Sequence, residues 1–381
     1  MTSFTFLVDE IEALTRELMA IRSYPGEEQR AQLACADWLR AAGMQPELQP
    51  TRSGQPNVLA RIENGPGKTL LLNGHMDTVL AVDGWERDPW QGWRDGDLLY
   101  GLGAADMKSG VALNMLVARA LATNKSAWRG TLIFSSVTDE EALSIGARTM
   151  MDAGMQADAC IVTEPLWDGG SIGGAGKMLV RADVTGKAAH GFTPWEGINA
   201  GIEAARFAAG VGAAVPPASH PLVPASTTVL SIHAGSPAYV ITLPETAEVL
   251  VTRQLVPGEQ RAAVIAQMEA FAASLASPAR FAFSTPEPYY APWAFDAPDH
   301  PFTQAFVAAY HGVRGEDPAL RYFVGITDAN VICGDGGIPC IVFGARGGAF
   351  HQCQEWVDLP SVSTAAQIVA QAAVGFLRPI P

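Results

Sequence analysis

The sequence predicts an α/β protein in which a mostly parallel-sheet domain is interrupted by a smaller inserted one. Three observations predict it. Helix and strand signals alternate as far as Thr163. After the glycine-rich "GGSIGGAGK", Gly169 to Lys177, the order becomes strand, helix, strand, strand, helix, strand. After the proline-rich run from Ser284 to Pro301 the alternation resumes. At 381 residues the chain suits two domains better than one.

Apolar spacing gives helices over Phe6 to Arg22 and Glu27 to Ala42. Strands follow at Asn57 to Ile62 and Thr69 to Asn73. The second is a continuous apolar run, as expected of a strand covered on both faces, and Asn73-Gly74 is expected to break it. A helix is predicted over Lys108 to Ala122, strands over Thr131 to Val137 and Ala159 to Thr163, and a helix over Gly146 to Ala153. In the insert the strands are Met178 to Thr185, Thr227 to His233, Ala247 to Leu255 and Arg280 to Phe283, with helices at Asn199 to Gly212 and Glu259 to Leu275. That β-α-β-β-α-β order is the ferredoxin-like unit. The last part supplies a buried strand at Ile338 to Gly344 and a closing helix at Ser361 to Phe376. The expected divisions are residues 1–175, 176–286 and 287–381.

Composition narrows the function. Net charge is −14 with no basic stripe, which argues against a nucleic-acid partner. Five scattered cysteines without a Cys-x-x-Cys pair suit a reducing compartment and argue against a disulfide scaffold or a thiolate zinc site. The N-terminal stretch lacks a basic start and a cleavable apolar core, and no window is long and apolar enough to span a bilayer. A cytoplasmic protein without a membrane partner is expected.

Ligands of open α/β sheets bind beyond the carboxyl ends of the strands, so the residues that follow each core strand matter most. His75 and Asp77 follow the first, Asp139, Glu140 and Glu141 the next, and Glu164 another. His351 follows the last, and Asp106 sits in the turn "GLGAADMKSG" just before a helix. A single strand-end carboxylate is usually solvated or caps a helix; this many together argue for a site. Histidines mixed with carboxylates suit zinc, manganese or cobalt. The set exceeds the needs of one ion and fits two, about 3.5–4 Å apart, sharing a carboxylate. Asp106 in its glycine-rich turn is the natural bridge. Asp77 can accept the second imidazole N–H of His75 and fix its tautomer. On an extended backbone Glu140 and Glu141 point apart, so one can bind metal while the other serves as general base.

The motifs "GHMDTV", "YGLGAADMKSG", "TDEEALSIGAR", "TEP" and "GAFHQCQEWV", with "TGKAAHGFTPWEGINA" in the insert, occur in order over nearly the whole chain. Together they resemble the binuclear zinc aminoacylases and exopeptidases, which include carboxypeptidase G, acetylornithine deacetylase and succinyl-diaminopimelate desuccinylase. The resemblance implies a catalytic domain of the zinc-exopeptidase type and an inserted lid that forms a homodimer. It implies two divalent ions, zinc first, with cobalt or manganese as alternatives. His75 and Glu164 would hold one ion, Glu141 and His351 the other. Asp106 would bridge, Asp77 support His75, and Glu140 act as base. It further implies a cis peptide between Asp106 and Met107. His190 of the lid would donate a hydrogen bond to the reaction's oxyanion in the partner subunit's site. The implied reaction is hydrolysis of an amide in a small N-acyl amino acid or dipeptide-like substrate.

The chain departs from the family's pattern at three places. The turn Gly101-Leu102-Gly103 lacks an arginine between its glycines, Ile241 replaces an asparagine three residues before Pro244, and Thr252-Arg253-Gln254 replaces an Asp-x-Arg run. Arg253 falls one residue early, so it should face the other side of its strand. These lid positions bear on whether the substrate has a free α-carboxylate. The rival readings are a catalytically silent small-ligand-binding or structural dimer of the same fold, and a hydrolase with one zinc ion.

Overall fold

The computed structural model describes residues 4–378 except 222, 224, 237 and 239. The chain separates into two compact units. The larger runs to Gly173 and includes Ala294–Arg321 and the chain from Thr327 onward; the smaller is Gly174–Trp293 with Tyr322–Ile326.

The larger unit is built on one sheet whose strands lie in the order Pro46–Gln49, Asn57–Asn64, Gly130–Val137, Thr69–His75, Ala159–Val162, Cys340–Val342 and Ser171–Gly174. The four strands from Gly130–Val137 to Cys340–Val342 are mutually parallel, and the strands outside them are antiparallel. Leu70, Leu71, Leu72, Ile133, Phe134, Ile161 and Ile341 are fully buried, as strands covered on both faces require. Helix Lys108–Thr123 packs on the two central strands, and helices Val8–Met19, Pro301–Arg314 and Leu359–Phe376 extend that layer. The strand expected to break at Asn73-Gly74 continues to His75, with Gly74 paired to Ser136 and His75 to Val137. Gly74 serves close packing instead of a turn: a Cβ there would stand 3.0 Å from Met107 Cε and 3.1 Å from Val111 Cγ2.

A second, small sheet has strands Gly347–Gly348, Trp356–Asp358, Leu98–Tyr100 and Trp93–Asp95, in that order. Its pairing of Trp356 with Tyr100 brings the His351 loop beside the turn that carries Asp106.

The smaller unit has its strands in the order Thr227–Ala234, Thr246–Leu255, Gly176–Thr185 and Arg280–Ser284, all antiparallel. With helices Ala200–Ala214 and Arg261–Ser274 this is the expected ferredoxin-like arrangement. Met178, Val180, Ala182, Val249 and Val251 alternate inward against Phe207, Val211, Val264 and Met268 of the helices. Arg253 also faces inward. It is fully buried, paired with Glu259, and donates to Val215 O at 2.9 Å and Thr227 Oγ1 at 2.7 Å. Its parity is that of the core, so it holds the unit together; Gln254 occupies the opposite face.

Candidate metal centre

Every residue singled out around the strand ends lies in the larger unit, and the four parallel strands explain why they meet. His75 ends its own strand; Glu140 and Glu141 follow Val137, Glu164 follows Val162, and His351 lies in the loop after Val342. Asp106 occupies the turn before helix Lys108–Thr123, and the Asp106–Met107 peptide is cis as expected.

Asp106 stands between the two histidines. Its Oδ1 is 3.3 Å from His75 Nε2 and its Oδ2 is 3.3 Å from His351 Nε2. His75 Nε2 also faces Glu164 Oε1 at 3.7 Å and Glu140 Oε2 at 3.8 Å. His351 Nε2 is 3.2 Å from Glu141 Oε2. Donor atoms of His75, Asp106 and Glu141 all lie within 4.8 Å of one another.

Asp77 lies against both the His75 ring and the turn that carries Glu140 and Glu141. His75 Nδ1 lies 3.0 Å from the backbone oxygen of Asp77 and 3.5 Å from its Oδ1. The carboxylate also accepts the backbone N–H of Glu140 at 3.2 Å and of Glu141 at 2.9 Å. Glu140 and Glu141 therefore sit in a turn, not on extended backbone. The turn begins at Asp139, which has a left-handed φ of 65°. One glutamate is sent toward His75 and its neighbour toward His351.

The electrostatics follow from crowding. Burial pushes the Glu140, Glu164 and Glu141 carboxyls up. Hydrogen bonds to Asp106 and Glu141 raise His351 to about 10. Burial opposes charge on His75, yet its bonds to Asp106 and Asp77 leave it raised well above the usual imidazole range. Burial likewise opposes charge on Asp106, and the two histidines still hold it well below the usual carboxylate range. A group of acids and imidazoles packed this closely calls for positive charge. Glu141 Oε1 is buried without a hydrogen-bond partner among the described residues, as suits a ligand atom. Nitrogen and oxygen donors without sulfur fit zinc, cobalt or manganese.

Three carboxyls escape sequence reasoning as members of this centre. Glu355 accepts the backbone N–H groups of Gly103, Ala105 and Asp106. Glu28 accepts that of Asp139. Asp328 accepts from Asn73 Nδ2 at 2.9 Å, and burial raises it to about 6. Carboxylates that bind backbone leave no spacing signal; "HQCQEWV" shows Glu355 only as a neighbour of His351.

His190 is in the smaller unit. It is exposed, pairs with Thr242 through a β-bridge, and packs on Phe192 with ring centroids 5.3 Å apart. Its Nδ1 accepts the Phe192 N–H at 3.2 Å, so the neutral ring carries its proton on Nε2 as a donor.

Residues 71–374 match the sequence profile of peptidase family M20/M25/M40. The chain belongs to that family. It is a metallohydrolase of the M20 type acting on amide bonds. It is similar to a succinyl-diaminopimelate desuccinylase of Paracoccus denitrificans, 27% identical over 368 residues that cover 93% of this chain and 95% of that one. It is 34% identical to an acetylornithine deacetylase of Aliivibrio salmonicida over 167 residues, 43% of each chain. Among solved structures, aminopeptidase PepT of Bacillus cereus superposes with a TM-score of 0.80 at 18% identity, covering 97% of this chain and 99% of the other. The YXEP protein of Bacillus subtilis, a dinuclear metal-binding M20 peptidase, gives 0.75 at 20% identity over 97% and 98%. Both share the M20 fold. No helix among the described residues is long and apolar enough to cross a membrane.

Proposed function

We propose that this M20 chain hydrolyses the amide bond of a small N-acyl amino acid or dipeptide-like substrate, using two divalent ions, zinc first. The observation that carries the reading is Asp106, whose two oxygens each face a different histidine at 3.3 Å. His75 and Glu164 would hold one ion, Glu141 and His351 the other, with Asp106 shared. The relative from Bacillus subtilis is dinuclear, and the curated relatives remove succinyl or acetyl groups, which supports the same class of chemistry here.

When bound, the ions supply Lewis acidity, lowering the pKa of water and polarising the amide carbonyl. The chain's own part is proton handling and orientation. Glu140 takes the proton of the attacking water on its carboxylate and returns it to the leaving nitrogen. Asp77 holds the backbone of Glu140 and Glu141 so that neighbouring carboxylates serve separate tasks. His190, with its Nε2 proton outward, is proposed as the oxyanion donor supplied by the partner subunit of a lid-mediated homodimer. Ile241 is 39% exposed in the lid, and an apolar side chain there offers a substrate carboxylate no partner. Five free cysteines suit a cytoplasmic setting.

A complete set of proposed ligands together with Glu140 disfavours a silent binding protein. The test is metal analysis with Glu140→Gln, assayed on N-acetyl, N-succinyl and N-benzoyl amino acids and dipeptides with zinc, cobalt or manganese. Retained metal with turnover reduced by about 10²–10⁴-fold is expected. A variant as active as the parent would refute the base assignment, and a parent holding one ion would refute the pair.

A further inference from the structure

We propose that Glu355 is a positioning residue that fixes Asp106 between the two histidines and thereby sets the affinity of the centre for its ions. The inference rests on the reading of Asp106 as the shared ligand and extends it to a residue with no donor atom in the centre.

Glu355 is 1% exposed. Its Oε2 accepts from Gly103 N at 3.1 Å, and its Oε1 accepts from Ala105 N at 2.8 Å and Asp106 N at 3.0 Å. Its backbone oxygen accepts from Gly101 N at 2.9 Å, continuing the pairing of Trp356 with Tyr100. The turn from Gly101 to Asp106 is thus wrapped around a single residue. Gly103 must be glycine for this path, with φ at +80° and a missing Cβ that would stand 2.8 Å from Thr78 Cγ2.

The same loop carries His351, four residues earlier. Glu355 therefore links the segment that presents Asp106 to the segment that presents His351. A carboxyl group suits this cradle, because three backbone N–H donors converge on its two oxygens. Glutamine would turn an NH₂ toward one of those donors. Aspartate would keep the carboxyl group but fall short by one methylene.

Zinc affinity decides the matter, measured on the full chain by competition with a chromophoric chelator after circular dichroism has verified folding. Glu355→Gln is expected to bind zinc about 10–100-fold more weakly than the parent. With zinc saturating, its KM should stay within about twofold of the parent while kcat is lower, because Glu355 would act through Asp106 and not on substrate. Glu259→Gln, which weakens the buried pair with Arg253 in the other unit, is the control for general destabilisation. It should melt earlier and bind zinc as the parent does. Parental affinity in Glu355→Gln would overturn the proposal, as would a loss no larger than that of Glu259→Gln. If Glu355→Gln does not fold, Glu355→Asp decides by the same comparison. A parent that binds no zinc pair would instead sink the reading of the centre itself.

Discussion

Glu28 has one oxygen in use and one to spare. Its Oε1 accepts the Asp139 N–H at 3.0 Å, while Oε2 is buried with no hydrogen-bond partner among the described residues. Burial first, and then the nearby Asp77 charge, push the carboxyl from 4.5 up to about 8. The folded protein therefore keeps a proton that the unfolded chain releases near pH 4.5. The stability this contributes is full below about pH 4.5 and is lost as pH rises through about 8. Calorimetry should find that the melting temperature falls less between pH 5 and pH 8 in Glu28→Gln than in the parent; equal slopes would clear Glu28 of the effect. The contrast with His75 and Glu164 shows what is legible at this scale. Those residues stand where strands end, and strand ends are visible as the last letters of apolar runs. Glu28 and Glu355 serve by meeting backbone N–H groups from distant segments, and that leaves no pattern along the chain.

Among the elements, long periodic ones were readable, while several of the shortest were not. Helix Lys108–Thr123 and strand Gly130–Val137 fall within a residue of their expected bounds, because an apolar period repeats over enough positions to be recognised. The strands at Gly347–Gly348, Trp356–Asp358 and Leu98–Tyr100 have two or three residues each and show no period. Yet they set Asp106 beside His351. Close packing between elements is similarly hidden. A Cβ on Gly110 would lie 2.2 Å from the backbone oxygen of Thr163, the residue before Glu164. Gly110→Ala is therefore expected to push helix and strand end apart, costing about 1–3 kcal/mol by overpacking. Zinc affinity should drop with it, since Glu164 moves with Thr163. Denaturant melts and chelator competition measure the two effects, and unchanged values in both would show that the contact is slack.

At the scale of the whole molecule the smaller unit's sheet ends in strand Thr227–Ala234, paired on one side only among the described residues, with Leu230 and Ile232 at 53% and 46% exposure. A bare apolar edge strand invites a copy of itself. If the lid joins two subunits, sedimentation should report a dimer, and Ile232→Asp should yield monomers with lower kcat through loss of the partner's His190. A monomeric parent would remove the role given to His190. The insert was foreseeable because its strand–helix order differs from its surroundings; what covers its edge was not, because exposed apolar residues look alike whether they meet a partner or water. A last consequence concerns the two histidines. The side chain of His75 is 1% exposed, whereas that of His351 is 53% exposed, on a left-handed residue with φ at 59°. One cation would be sealed beneath the sheet's rim while its twin sits at the doorway, so the pair should empty in sequence. Stopped-flow mixing with excess chelator is expected to show a fast and a slow release phase, with the fast one missing from His351→Ala; a single phase in the parent would mean that both ions leave by the same gate.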